Sequence, residues 1–552
     1  QKSYIGVTNS ISLLWLTAIF FYGAFEYAYS GNNEGQIKTI NDSIAIKYSN
    51  TINSDDLSEY LHILASDSFQ GRETGEKGQK LAAAYISQKF SDFGIPALPI
   101  TDTPSFYQKF PLLVQNPSGA LIAVNEKQYK FIDDFYYFHG FEDVKIEKEN
   151  ILFLGYGIES EQYNDYNQAD VDGKVLLFFS GEPLDKKGNS LITGSAALSK
   201  WTTNRQLKKQ IAQSKNALAV MIISNNYESD MNEMRHYIEK PTVKLIKNEK
   251  NDTVPNPNKL PCFYISPKMA DDMLNLAPHP VTSKNARKKI SKKHKPYKCL
   301  MNTKLLIDVN REKKVISSEN VLGYVEGKDK KDEVIVISAH YDHLGVQGAD
   351  IYYGADDNGS GTSAVLELAQ AFESAKKEGY GPRRSILFMT VAGEEKGLLG
   401  SDYYTCNPVF PLEKTIAGLN IDMIGRLDSV HAGNPDYVYI IGSDKLSSDL
   451  HNINEKSNAL HTKLTLDYTY NKEDDPNRFY YRSDHYNFAK NNIPVIFYFT
   501  GVHEDYHKPS DTVDKIDFQK MEKITKLIFF TAWTLANRED RILVDTAPES
   551  EK

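Results

Sequence analysis

The sequence predicts an α/β fold in which a mostly parallel or mixed central sheet is flanked by helices and interrupted by an inserted β-rich domain. Three observations predict it. Apolar runs of strand length recur after residue 320, at Val334–Ser338, Ile386–Val391, Leu419–Met423 and Val495–Phe499. Helical patterns follow or separate them, among them Ser363–Ala375 and the amphipathic Phe518–Ala536. Continuous apolar strands alternating with helices mark a sheet buried on both faces. Between about Leu121 and Val309 the texture differs, with short β-rich runs such as Ile151–Tyr156 and Lys174–Ser180 and a helical patch at Ser199–Ser214.

From the N-terminus, Ile11–Phe25 is an apolar run short for a membrane span and suited to the hydrophobic region of a signal peptide. Lys2 is a weak positive flank, and Ala28-Tyr29-Ser30 reads as a cleavage site; the other reading is an uncleaved anchor. Either one predicts export, to the outside, the periplasm or the outer envelope. Residues 31–50 are polar and read as a linker. From Ser54 a helix is expected with Leu57, Tyr60, Leu61 and Leu64 on one face. The turn at 69–78 leads to a second helix through Leu81, Ala84, Tyr85, Ile86 and Phe90. The division expected is therefore 1–30 signal or anchor, 31–50 linker, 51–120 leading helices, 121–309 inserted domain, 310–540 catalytic domain and 541–552 disordered tail.

With 552 residues the chain exceeds one simple core. A net charge of −9 argues against nucleic acid as a partner. The lysine-rich run Lys288–Lys298 reads as a solvated loop. Three cysteines, Cys262, Cys299 and Cys406, cannot make a disulfide framework, and no CxxC spacing occurs. Any metal must then be held by nitrogen and oxygen.

In parallel sheets ligands sit at the carboxyl ends of the strands. Here those ends deliver His340, Asp342 and His343, then Asp356 and Asp357 in the following turn, Glu394 and Glu395, Asp422, and beyond the last strand His503 and His507. Singly, each has a bland explanation as a cap or a solvated pair. Together they would place several carboxylates at one buried edge, at a cost of several kcal/mol per ion without cations. Imidazoles with carboxylates are a donor set that zinc accepts.

These motifs resemble those of the co-catalytic two-zinc aminopeptidase family, which is related to glutamate carboxypeptidase II and the transferrin receptor. The likeness is strong over 334–515, and 121–309 is similar to the protease-associated domain inserted in many members. The resemblance implies a zinc exopeptidase fold (phosphorylase/hydrolase-like) and two Zn2+ ions. His340 and Asp422 would hold one zinc, Glu395 and His507 the other, and Asp356 would bridge them. Glu394 would be the general base and Asp342 the carboxylate that orients His340. The family's cis peptide after the bridging aspartate would fall at Asp356–Asp357. His503 is a local rival of His507. The family's Tyr-His-x-x-x-Asp pattern favours His507 and puts Tyr506 beside it as an oxyanion stabiliser or as packing. His343 and Asp357 read as structural or supporting residues.

The activity expected is removal of N-terminal residues from peptides or proteins by an activated water, since an acidic pocket suits a free α-amine. The alternatives are a glutamate-type carboxypeptidase, a glutaminyl cyclase and a non-catalytic receptor-like protein. Residues 479–484 are a candidate wall of the side-chain pocket.

Overall fold

The computed structural model describes residues 42–546 except 101, 118, 139, 205 and 247–259. The expected signal or anchor, the first part of the expected linker and the end of the expected tail lie outside the described residues. No helix among the described residues is long and apolar enough to cross a membrane. The chain divides into two compact units, one comprising 112–316 and the other the segments before and after it.

The unit formed by the segments before and after 112–316 is built on a mixed sheet. Its strands run in the spatial order Thr465–Asp467, Tyr437–Ile441, Val495–Phe499, Thr415–Ile421, Lys330–His340, Arg384–Val391, Lys313–Val325 and Tyr107–Gln115. The four in the middle, from Val495–Phe499 to Arg384–Val391, are mutually parallel. Alternation of side chains decides what each face meets. Val334 and Val336 join Leu387, Met389, Tyr404 and Phe488 in one apolar cluster. Phe388, one residue out of step, packs against Phe372 of helix Gly361–Lys377 with ring centroids 6.1 Å apart. Each such side chain removed from water contributes about 1.5–3 kcal/mol.

Helix Ser54–Leu64 buries Leu57, Tyr60, Leu61 and Leu64, and Asn53 caps it by accepting from the amides of Asp55 and Asp56. It packs on Gly361–Lys377 and Phe518–Asn537. The next helix, Lys77–Asp92, turns a different face inward than expected: Ala82, Ala83, Ile86 and Phe90 are buried, whereas Leu81 is exposed. The expected linker ends early, because residues 42–49 are helical and bury Ala45 and Tyr48. The tail begins late, because Ile542 is buried and Arg541 donates to the carbonyls of Glu413 and Thr415.

The 112–316 unit holds an eight-stranded sheet in the order Lys127–Lys130, Ala120–Val124, Lys298–Val309, Val144–Leu154, Val175–Phe179, Ala219–Ile223, Cys262–Ile265, Phe135–Tyr136. Four consecutive members of it, from Val144–Leu154 to Cys262–Ile265, are parallel. Helices occupy the connections, including Leu207–Ser214 and Tyr227–Glu239, so this unit is α/β in detail rather than only β-rich. The lysine-rich run is no loop: it begins within helix Ser283–Lys293, which buries Ala286 and Ile290 and leaves the ammonium groups outward. All three cysteines are free.

One side chain ties the turn at 69–78 to the central sheet. Gln70, Gly71 and Arg72 are all left-handed in backbone, with φ of 49°, 64° and 53°. A Cβ on Gly71 would meet the Tyr352 carbonyl at 2.3 Å, so only glycine fits. The turn sends the fully buried Arg72 inward. Its guanidinium donates to the carbonyls of Leu64 (2.6 Å), Tyr341 (2.8 Å), Tyr353 (2.8 Å) and Gly354 (2.8 Å). Arg72→Met would leave four acceptors without this donor, three of them buried, and we expect a loss of about 3–5 kcal/mol in urea or thermal unfolding. Arg72→Lys, with fewer donors, is expected to recover only part of it.

Candidate functional site

The parallel core of the sheet determines where the polar residues gather. His340 ends strand Lys330–His340, and Asp422 follows Thr415–Ile421 directly. Glu394 and Glu395 lie just past Arg384–Val391, and His507 lies in the segment after Val495–Phe499. Since these strands are adjacent and parallel, their carboxyl ends converge at one edge.

Asp357 enters from the turn that precedes helix Gly361–Lys377. The peptide bond after it, Asp357–Asn358, is cis. Asn358 clamps the turn: its Nδ2 donates to the Ile421 carbonyl at 2.9 Å, and its Oδ1 accepts from Gly361 N at 2.8 Å and Met423 N at 3.3 Å. From the other side the Asp511 carboxylate accepts from the amides of Asp356 and Asp357, at 3.1 Å each. The Asp357 carboxylate is thereby set between two imidazoles. His340 Nε2 lies 3.3 Å from Asp357 Oδ1 and 3.4 Å from Asp422 Oδ1. His507 Nε2 lies 3.1 Å from Asp357 Oδ2 and 3.3 Å from Glu395 Oε2.

A third imidazole approaches from behind. His343 Nδ1 is 2.7 Å from Glu395 Oε1 and 3.8 Å from Asp357 Oδ2. Two groups could hold a metal ion, His340 with Asp357 and Asp422, and His343 with Asp357 and Glu395. His340 Nε2, Asp422 Oδ1, Glu395 Oε1 and both ring nitrogens of His343 are buried without a well-directed hydrogen bond, despite their closeness. The His507 side chain is 38% exposed, while that of His340 is 1% exposed.

The field inside this cluster favours positive charge. Burial pulls the His507 imidazole down, but Asp357 and Glu395 outweigh it and hold it at about 10. His340 is likewise held well above the usual histidine value, against burial, by Asp422, Glu394 and Asp357. Burial pushes the Glu395 carboxyl up and Asp357 adds to this, yet His343 and His507 bring it to about 2. Asp357 is also held well below the ordinary carboxylate value: burial opposes this, and His340 and His507 prevail. Glu394 differs. Burial pushes its carboxyl well above the usual value, His340 pulls against that, and Glu395, Asp422 and Asp484 add to the rise. Two adjacent glutamates thus have opposite proton affinities, a separation found at catalytic sites.

Several expected placements need correction. Asp356 does not face the cluster: its Oδ1 accepts from Gly425 N at 2.6 Å and its Oδ2 lies 3.3 Å from His503 Nε2. The central carboxylate is Asp357, and the cis bond lies one residue later than expected. His503 is occupied by Asp356, and it is His507 that faces the cluster. The Asp342 carboxylate does not hold His340; its Oδ1 is 3.9 Å from His340 Nδ1, which instead lies 3.1 Å from the Asp342 backbone carbonyl. That carboxylate accepts from Thr74 Oγ1 (2.6 Å) and from Glu394 N (3.2 Å), and so positions the glutamate pair. Tyr506 stacks on His507 with centroids 3.8 Å apart, and burial, then Asp357 and Glu395, keep its phenol protonated. Within 479–484, Phe479 packs in an aromatic cluster with Met423 and Phe499, while the Ser483 hydroxyl donates to Asp422 Oδ2 at 2.7 Å. Asn358, Ser483 and Thr74 carry no signal in the sequence alone, whereas Asp511 closes the Tyr-His-x-x-x-Asp pattern.

Parts of this chain are similar to known peptidases. A probable leucine aminopeptidase of Arthroderma otae (strain ATCC MYA-4605 / CBS 113480) is 33% identical over 214 residues, 38% of this chain and 55% of the relative. A glutamate carboxypeptidase 2 homolog of Caenorhabditis elegans is 22% identical over 469 residues, 78% of this chain and 59% of the relative. The chain thus spans between half and two thirds of these relatives' lengths. Among solved structures, an aminopeptidase from Aneurinibacillus sp. strain AM-1 shares the fold with a TM-score of 0.53 at 17% identity, covering 92% of this chain and 100% of that one. Residues 320–532, which contain every member of the carboxylate–imidazole cluster, match the profile of Peptidase family M28.

Proposed function

We propose that this protein is a two-zinc aminopeptidase that removes N-terminal residues from peptides. The observation that carries the reading is Asp357, whose two oxygens face separate imidazole–carboxylate pairs. Around a cation with bonds of about 2.0–2.1 Å in tetrahedral geometry, neighbouring donors stand about 3.3–3.4 Å apart. The separations around His340, Asp357 and Asp422 (3.3 and 3.4 Å) and around His507, Asp357 and Glu395 (3.1 and 3.3 Å) fit that spacing. The buried atoms that lack directed hydrogen bonds fit it too. We therefore assign His340 and Asp422 to one zinc, His507 and Glu395 to the other, and the bridge to Asp357. His343, at 2.7 and 3.8 Å, fits the spacing less well and is assigned to support Glu395.

Bound there, zinc would supply an acidified water and a positive field for a carbonyl oxygen. The chain's own residues do the rest. Glu394, with its raised proton affinity and its carboxylate 3.9 Å from His340 Nε2, takes the proton of the attacking water and passes it to the leaving amine. Tyr506, kept protonated, donates to the developing oxyanion. The concentrated carboxylates attract the substrate's free α-ammonium. The unit at 112–316 is assigned as the inserted protease-associated domain, and the apolar Ile11–Phe25 supports export.

The reading is tested on aminoacyl-anilides against N-acetylated peptides ending in glutamate, each with and without chelator. Cleavage only of free N-termini, lost with chelator and restored by zinc, is the expected result. Cleavage only of the blocked acidic peptides would make it a carboxypeptidase.

Three substitutions test the roles. Glu394→Gln is expected to lower kcat by about 10²–10⁴-fold while elemental analysis still finds the wild-type metal content. Asp357→Asn should lose both metals, whereas Asp356→Asn, one residue away, should retain them. Metal loss from Asp356→Asn and retention in Asp357→Asn would return the bridge to Asp356.

A further inference from the structure

A second site emerges within the 112–316 unit, where the parallel strands Val175–Phe179, Ala219–Ile223 and Cys262–Ile265 end together. A cavity of about 170 Å³ lies past those ends, lined by residues that include Ser180, Lys208, Asn225, Asn226 and Asp230. Carboxyl ends of parallel strands are where α/β sheets bind ligands. Helix Tyr227–Glu239 also starts at the cavity, and its cap residue Asn226 makes no side-chain bond to the first turn. The first turn of that helix already carries Glu228 and Asp230, which complement its positive end.

The cavity wall holds the Lys208 ammonium, which lies 5.7 and 5.8 Å from the Tyr156 and Phe178 ring centroids and makes no ion pair with a carboxylate among the described residues. Lys208 is 4% exposed, and its ammonium donates to the carbonyls of Phe179 (2.9 Å) and Gly181. Two acceptors leave a third N–H. The carboxylates whose charge reaches it are engaged elsewhere. Asp165 accepts from the amides of Tyr156 and Ile158, and Glu182 from Ser199 and Thr202. A second cation, Arg287, stacks 3.8 Å over the Phe179 ring and donates to Asn225 Oδ1. Burial pulls the Lys208 ammonium down to about 7, with Asp165 opposing and Arg287 reinforcing the fall. Next to it the Ser180 hydroxyl oxygen is buried without a hydrogen-bond partner. Asp230 marks an opposite pole: it accepts from Ser224 Oγ at 2.6 Å and from Tyr136 OH at 3.2 Å, both on the same oxygen.

We propose that this cavity binds a small free α-amino acid, its carboxylate on Lys208 and the Ser180 hydroxyl and its ammonium toward Asp230. A cavity of about 170 Å³ suits a small ligand such as alanine. A doubly charged phosphate fits worse, because Asp230 shares the cavity.

The test is isothermal titration of the full-length protein with L-alanine, L-alaninamide, N-acetyl-L-alanine and inorganic phosphate. One saturable site for L-alanine is expected, with the amide and the acetylated compound at least tenfold weaker. Lys208→Met should weaken binding at least tenfold. Ser180→Ala, a milder change that guards against misfolding, should weaken it about three- to tenfold with unchanged melting temperature. Glu394→Gln and Asp357→Asn should leave this affinity unchanged, separating it from binding at the carboxylate–imidazole cluster. Alanine binding that persists in both the Lys208 and Ser180 variants, equal binding of the amide or acetylated compound, saturable phosphate binding in place of alanine, or no saturable heat would each overturn the proposal.

Discussion

A carboxylate held between two imidazoles at the edge of a parallel sheet is the feature on which the rest of this unit depends. Asp357 can occupy that place only because its turn is fastened from several sides. Asn358 ties it to the backbone around Asp422, and Asp511 accepts the amides of Asp356 and Asp357. Arg72 holds the carbonyls of Tyr353 and Gly354, where the turn begins. Release of any one of these would let the carboxylate rotate away from one imidazole, and the paired arrangement would be lost. The leading helices therefore serve the site although they contribute no residue to the cluster: Gly71 and its left-handed neighbours exist to aim Arg72.

The same geometry imposes an electrostatic constraint. Asp357, Glu394, Glu395 and Asp422 share one buried edge, an arrangement costing several kcal/mol per ion unless positive charge accompanies it. The imidazoles of His340 and His507 are drawn strongly toward their protonated forms by that field. A site that binds protons this strongly is also one that divalent cations can occupy. Glu394 escapes the pattern because burial acts on it most strongly; His340 pulls against that rise, and Glu395, Asp422 and Asp484 add to it. In the proposed mechanism that difference separates the proton carrier from the proposed ligand beside it.

The 112–316 unit presents the opposite electrostatic situation. Its parallel strands also end at a cavity, but the buried group there is an ammonium resting on carbonyls, with its neighbouring carboxylates already engaged. Two sheets in one chain thus use the same backbone rule to create local fields of opposite sign. The fields differ because the residues after each strand differ: His, Glu and Asp in one, Ser, Gly and Asn with a lysine from the following helix in the other.

The sequence by itself determined the strands of the central sheet, since uninterrupted apolar runs have no other stable place, and it determined that histidines and carboxylates cluster at their carboxyl ends. Helix Ser54–Leu64 was equally legible, because its four apolar residues fall on one face at helical spacing. What it did not determine was direction at one-residue resolution. Asp356 and Asp357 are chemically identical neighbours, and only Asn358, Asp511 and Gly425, brought together from distant segments, decide which of them points into the cluster. Likewise Asp342 grips Glu394 rather than His340, because Thr74 and the Glu394 amide approach its carboxylate more closely than the imidazole does. Chain order specifies which groups arrive at a sheet edge; the orientation of each is fixed by hydrogen bonds to residues far away in sequence, and those exist only in the folded molecule.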